Sequence, residues 1–260
     1  LLFLAGNFPD QAQGEVSIYL GSASGLNSQP VINQALTLSN DFPAIGLATV
    51  DVDSNGTDEI FVISALTTPT SNFYQLAPTI WHYTTDGDGS TLQLANTSLD
   101  IQQFPIGLNQ LYNSTVRTTS GDFNGDGVDD AFMSIVAANA GYLTPTPSYL
   151  IHDQVFYGDT SLTTFGQKTQ ILRSETESGY SSLTNLSQTS TAVGDANGDG
   201  FDDILLNQFD PNQNGGLYFG DLANPLATSV PVEGLEHRTT LYQVGAGGDV
   251  NGDGFTDFLM

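Results

Sequence analysis

The chain alternates short apolar runs with polar, glycine-rich breaks, and no stretch keeps apolar residues at helical spacing for three turns. That pattern predicts strands. Runs at 45–50, 116–121, 191–194 and 242–248 each lead into an Asp-rich segment, and each segment is followed by a second apolar run, at 60–63, 131–136, 204–206 and 258–260. A third, aromatic run recurs at 17–21, 80–83, 155–158 and 217–220, always entering a polar turn. A fourth follows at 31–38, 91–95, 168–172 and 227–232. The apolar opening, Leu1 to Ala5, lacks a Met and a basic flank, so it reads as a strand of a longer protein and not as a signal peptide.

The Asp-rich segments align without gaps. They run from Asp51 to Glu59, Asp122 to Asp130, Asp195 to Asp203 and Asp249 to Asp257, so their starts lie 71, 73 and 54 residues apart. A repeat of about four short strands is the content of a propeller blade. The expected fold is therefore all-β, a β-propeller of four-stranded antiparallel blades. It is one region over 1–260, with approximate units 1–43, 44–114, 115–189, 190–241 and a partial 242–260. The strands cut at both ends suggest about four blades' worth of a longer array.

Each loop places oxygen side chains at positions 1, 3, 5 and 9. In the second these are Asp122, Asn124, Asp126 and Asp130, with the Val128 carbonyl available at position 7. Ca²⁺ takes six to eight oxygens at about 2.3–2.6 Å, and alternate inward oxygens on a tight loop supply them. Mg²⁺ prefers a smaller octahedral shell that keeps several waters. The helix–loop–helix calcium motif would need a Glu at position 12; here Val62, Met133, Leu206 and Met260 stand there, all apolar. Asp-Gly and Asn-Gly also make plain hairpin turns, which accounts for Asp86 to Gly89 but not for four loops with oxygens in step.

Charge fits the same reading. The chain carries 29 acidic against 4 basic residues, a net −25, and 15 of the acids sit in the four loops. Four Ca²⁺ ions, one per loop, would still leave −17. Phosphate recognition needs Lys and Arg that are missing, so nucleic acid is excluded as a partner, and an anionic lipid surface is disfavoured. No run approaches the ~20 apolar residues that cross a bilayer. With no cysteine, redox compartment cannot be read.

The pattern Gly-Asp-x-Asn-Gly-Asp-Gly-x-x-Asp, present at 121–130, 194–203 and 248–257, resembles the FG-GAP repeat of integrin α-subunit β-propellers, and the stretch from Gly14 to Leu26 resembles that family's third strand and following turn. The resemblance implies a propeller, commonly of seven blades, with a Ca²⁺ loop between the first and second strands. It implies ligands at positions 1, 3, 5, 7 and 9. In the first two loops these are Asp51, Asp53, Asn55, Thr57 and Glu59, then Asp122, Asn124, Asp126, Val128 and Asp130. In the last two they are Asp195, Asn197, Asp199, Phe201 and Asp203, then Asp249, Asn251, Asp253, Phe255 and Asp257. The first loop departs furthest, with Val50 for the leading Gly, Ser54 for Gly, Asn55 for Asp and Glu59 for Asp, and is expected to be the weakest site.

No catalytic set stands out. His82, His152 and His237 fall in different periods without metal-ligand spacing. Recurring aromatics such as Phe156, Tyr157, Tyr218 and Phe219 read as core between blades. Others fall in the long connections at 67–77, 96–114, 139–150 and 233–241, on the face opposite the metal loops, where Tyr74, Tyr142 and Tyr149 are the candidate partner-binding residues. The expected function is a non-catalytic, calcium-stabilised module, secreted or on a cell surface, that binds a protein or glycan in adhesion or scaffolding. Two rivals are a structural, self-assembling subunit of an extracellular filament or surface layer, and the scaffold of a secreted polysaccharide-active enzyme.

Overall fold

The computed structural model describes residues 2–4, 13–19, 21–23, 25–26, 28–29, 32–37, 45–67, 74–85, 92–98, 111–139, 148–160, 168–178, 190–206, 216–232 and 245–259. Every regular element among them is a strand. The first are β1 (Leu2–Leu4), β2 (Gln13–Ile18), the short β3 (Gly21–Ser22) and β4 (Gly25–Leu26), and β5 (Ile32–Thr37). The second group is β6 (Ile45–Val50), β7 (Glu59–Thr67), β8 (Tyr74–Thr85) and β9 (Leu92–Ser98). The third is β10 (Leu111–Gly121), β11 (Asp130–Asn139), β12 (Ser148–Phe156) and β13 (Thr169–Ser178). Then come β14 (Thr191–Gly194), β15 (Asp203–Leu206), β16 (Gly216–Tyr218) and β17 (Ser229–Pro231), and finally β18 (Gly245–Gly248) and β19 (Asp257–Leu259).

Three groups make four-stranded antiparallel sheets in chain order, β6-β7-β8-β9, β10-β11-β12-β13 and β14-β15-β16-β17. The first group makes a three-stranded sheet, β1-β2-β5, and the last a two-stranded one, β18-β19. Consecutive strands pair because the connections are short and the β-branched and aromatic runs suit a pleated, half-buried surface. Among the described residues no helix is long and apolar enough to cross a membrane, which says nothing of strands.

The sheets pack face on face, and the apolar runs supply both faces of each contact. Phe123, Phe132, Val155 and Tyr157 of the third group meet Ala192, Ile204, Leu206 and Leu226 of the fourth. Val193, Leu205 and Leu217 then meet Phe258 of the last pair. Between the second and third groups Phe61 lies against Phe156, ring centroids 5.4 Å apart. Burial on both faces explains why β7, β11 and β15 read as nearly continuous apolar runs: residues 59–63, 131–136 and 203–206 are buried whichever face they take.

Two expectations about connections change. Tyr74 opens β8 opposite Thr67, and Tyr149 lies inside β12, paired with Ala138 and Glu177. Neither belongs to an irregular loop; the apolar alternation simply continues further than the turn-forming residues around it suggested. β10 likewise begins at Leu111, ahead of the 115 boundary. Tyr142, the Asp86 to Gly89 turn, His237 and most of 96–114 and 233–241 lie outside the described residues.

Candidate metal centre

Every Asp-rich loop joins the first strand of a sheet to its second, and each folds by the same local bonds. The position-1 Asp gathers the amides ahead of it. Asp122 Oδ1 accepts from Gly125 N (2.7 Å) and Asp126 N (3.2 Å), and its Oδ2 accepts from Gly127 N (2.9 Å). Asp195 and Asp249 repeat this pattern at 2.6–3.0 Å. In the first loop Asp51 takes the amides of Asn55 and Gly56. Positions 3 and 5 each cap the amide two residues on, as Asn124 does for Asp126 and Asp126 for Val128. Such short Asx bonds hold the side chains on the inside of the curl. Position 4 has positive φ in all four loops, and in the first a non-glycine, Ser54 (φ 56), adopts it. Its Oγ donates to the Gly127 carbonyl of the next loop at 3.1 Å.

Position 9 behaves differently. Its carboxylate turns back to the loop's second amide: Glu59 accepts from Val52 N, Asp130 from Phe123 N, Asp203 from Ala196 N and Asp257 from Val250 N, at 2.8–3.1 Å. In two sheets the other oxygen reaches the end of the third strand. Asp130 Oδ1 accepts from Gly158 N (2.7 Å) and Asp203 Oδ1 from Gly220 N (2.9 Å). Position 9 therefore ties the loop to the aromatic strand. The recurring Tyr157-Gly158-Asp159 and Phe219-Gly220-Asp221 were the sequence signal for this tie, beyond the aromatic strand itself.

The electrostatics follow from burial. Asp130 and Asp203 are fully buried, and Glu59 nearly so. Burial pushes the Asp130 carboxyl up to about 8 and the Asp203 carboxyl up to about 6. Glu59 rises to about 7, mainly through burial, with repulsion from Asp53 and Asp51 added. These carboxylates sit where a lone negative charge is disfavoured and a nearby cation would be stabilising.

Asp51, Asp53 and Glu59 each bring one carboxylate oxygen to within 4.8 Å of the others. Two oxygens bound to one Ca²⁺ at ~2.5 Å can be at most ~5 Å apart, and the spacing of the three is compatible with that limit. This is the loop expected from sequence to be the weakest. Its Asp53, where the others carry Asn, and its longer Glu59 are what complete the acidic triad. At position 7, Val128, Phe201 and Phe255 have no side-chain oxygen and could offer such a site only their backbone, whereas Thr57 also carries a hydroxyl. The Val128 side chain is buried, Phe201 is half-buried and Phe255 is 44% exposed.

Beside the second loop lies an open depression of about 490 Å³, lined by residues that include Asn124, Asp126, Tyr157, Asp159 and Lys168. The Lys168 ammonium stands 4.7 Å from the centre of the Tyr157 ring, and the Tyr157 hydroxyl donates to Gln170 Oε1. His152 is fully buried within β12, 3.0 Å from Gln154 Oε1, and burial lowers it to about 4, so it stays neutral inside the sheet. In comparison with known proteins, no family model matches this chain and no curated protein matches it.

Proposed function

We propose that the chain is a stretch of calcium-stabilised β-propeller of the FG-GAP type, acting as an extracellular binding or scaffolding module and not as a catalyst. The observation that carries this reading is the recurrence of one loop geometry four times at the junction of first and second strands, with oxygens of positions 1, 3 and 5 turned inward. In this reading one Ca²⁺ per loop pins the end of each sheet, and metal binding contributes folding energy. A protein or glycan partner docks at the opposite ends of the strands, where the connections 68–73 and 140–147 emerge and where Tyr74, Tyr142 and Tyr149 lie in or beside them.

Calorimetric titration with Ca²⁺ of protein stripped by chelator tests the metal, paired with melting curves. Binding sites approaching four per chain are expected. Each site saturated at about a hundred times its Kd adds about 2.7 kcal/mol, so melting should rise by many degrees. No heat of binding and identical melting in calcium and in chelator would sink the proposal. Alanine at Tyr74 and Tyr142 should weaken partner capture while leaving calcium-dependent melting unchanged.

A further inference from the structure

Neighbouring Asp-rich loops are locked together by a contact that recurs three times. The amide at position 8 of one loop donates to the position-1 carbonyl of the loop before it: Asp129 N to Asp51 O (3.3 Å), Asp202 N to Asp122 O (3.1 Å) and Thr256 N to Asp195 O (2.8 Å). Between the second and third loops the lock has two points. The Asp202 carboxylate accepts from Asp122 N at 3.0 Å, so one residue holds both backbone groups of Asp122. Side chains reinforce the lock. The Phe201 ring lies directly on Gly125, and the Phe255 ring on Gly198, so position 7 of one loop caps position 4 of the previous one. The turn after β16 adds a further bond, from Asp221 N to Phe123 O.

What the lock grips is the hub of a loop. Asp122 is the residue whose carboxylate gathers the amides of Gly125, Asp126 and Gly127, and those bonds hold only while its backbone stays in place. The residue before the hub takes part as well. For a Cβ placed on Gly121 the three nearest atoms all belong to Asp202, with Oδ2 at 2.6 Å; for one on Gly194 they all belong to Thr256, the nearest at 2.9 Å. The leading glycine of the repeated pattern is therefore a seat for the position-8 side chain of the next loop. Gly121 is not in the left-handed region, so it supplies close approach and not backbone freedom. Where Val50 stands for that glycine, the backbone bond of the lock is the longest of the three. Asp202 keeps its seat against its own charge. Burial pushes its carboxyl above the usual range, the Asp122 amide opposes this, and repulsion from Asp122 and Asp195 adds to it.

We propose that Asp202 is a positioning residue for the loop before its own: it fixes the Asp122 hub from outside, and through such contacts the order of one Asp-rich loop is coupled to that of its neighbour. The coupling is reciprocal, so whatever orders one curl favours the other. It is built of hydrogen bonds and packing and does not depend on the metal reading.

Amide hydrogen exchange, followed by NMR on the full chain in chelator, tests this. Asp202→Ala should speed exchange of the Gly125, Asp126 and Gly127 amides about fivefold or more, as loss of one hydrogen bond predicts. The Gly198, Asp199 and Gly200 amides are gathered by Asp195 in the loop that carries the substitution. They should stay within about twofold of wild type, which a local or global loosening would not allow. Asp202→Asn keeps an acceptor on the seat and drops the charge, so it should hold the 122–130 amides within about twofold of wild type. Gly121→Ala puts a methyl group where the carboxylate sits and should match Asp202→Ala. The two together should cost no more than either alone. The proposal falls if Asp202→Ala leaves the 122–130 amides at wild-type rates, if both loops loosen alike, if Asn acts as Ala does, or if the two losses add.

Discussion

The loops 122–130 and 249–257 have nearly the same sequence and the same internal bonds, yet they live in different surroundings. In both, the first Asp gathers the amides of positions 4, 5 and 6. The first is roofed by the following sheet, so Phe123 and Asp130 are fully buried; in the second, Val250 is 70% exposed. The curl of the chain is thus written in nine residues and needs no neighbour. Burial, and with it the unusual energetics of the position-9 carboxylate, is imposed by the sheet that comes next. Buried Asp130 is driven far above the usual carboxylate range by that burial.

The largest expected difference is at position 9. Asp130→Ala strands the amides of Phe123 and Gly158. The buried Phe123 amide left without a partner costs about 1–3 kcal/mol and the half-buried Gly158 amide less, so the variant should lose about 1–4 kcal/mol. Asp257→Ala frees the Val250 amide, which is exposed enough to find water, and should cost under about 1 kcal/mol. Urea unfolding in the presence of chelator measures both without interference from metal. Equal losses would mean that burial does not separate the two loops.

A smaller effect is the pH dependence of the metal-free protein. Asp130, Glu59 and Asp203 titrate in the native state at about 8, 7 and 6, above their ordinary values. Between the ordinary and the raised value, the native state keeps protons that the unfolded chain has shed. Their contribution is therefore fully present below the ordinary carboxylate range and is lost as pH rises through the raised values. Each group gives a slope of at most about 1.4 kcal/mol per pH unit. In chelator, stability should fall from about pH 5 to about pH 8 by this linkage, and saturating calcium should flatten the fall. Asp130→Asn should remove part of the slope. A slope unchanged by Asp130→Asn would show that burial does not set this carboxyl's proton affinity.

Much of the fold was readable because apolar runs and Asp-rich breaks are local signals. The limits of β6 and β14 coincide with the apolar runs at 45–50 and 191–194. The strands after the Asp-rich loops were placed correctly but too short, as with β11, which continues to Asn139 through a run of alanines that carries little strand propensity. Tyr149 was missed as a strand residue for a related reason: the Pro- and Thr-rich stretch before it looks like loop. At the candidate site, alternate oxygens were legible from spacing alone. The tie from Asp130 to Gly158 was not, since the two are 28 residues apart and only pairing brings them together. The locks between loops join residues about 60 to 80 apart for the same reason, one per period.

The smallest expected difference isolates the roof itself. Gly125 (φ +69) and Gly252 (φ +77) occupy the same left-handed conformation at position 4. Alanine there carries about 1–2 kcal/mol of backbone cost in either loop. Only at Gly125 does a methyl group run into a neighbour, the Phe201 ring. That ring is the free end of a side chain, so it swings aside and gives up its packing, and the added cost is expected to be about 1 kcal/mol. Gly125→Ala should therefore destabilise more than Gly252→Ala by that amount in urea unfolding. The excess has to vanish when Phe201→Ala is present as well, because the neighbour responsible is gone, and a double-mutant cycle reads this directly. An excess that persists without the ring would place its origin in the loop's own backbone, and the contrast between the roofed and the bare loop would then lie in their sequences and not in the sheet above them.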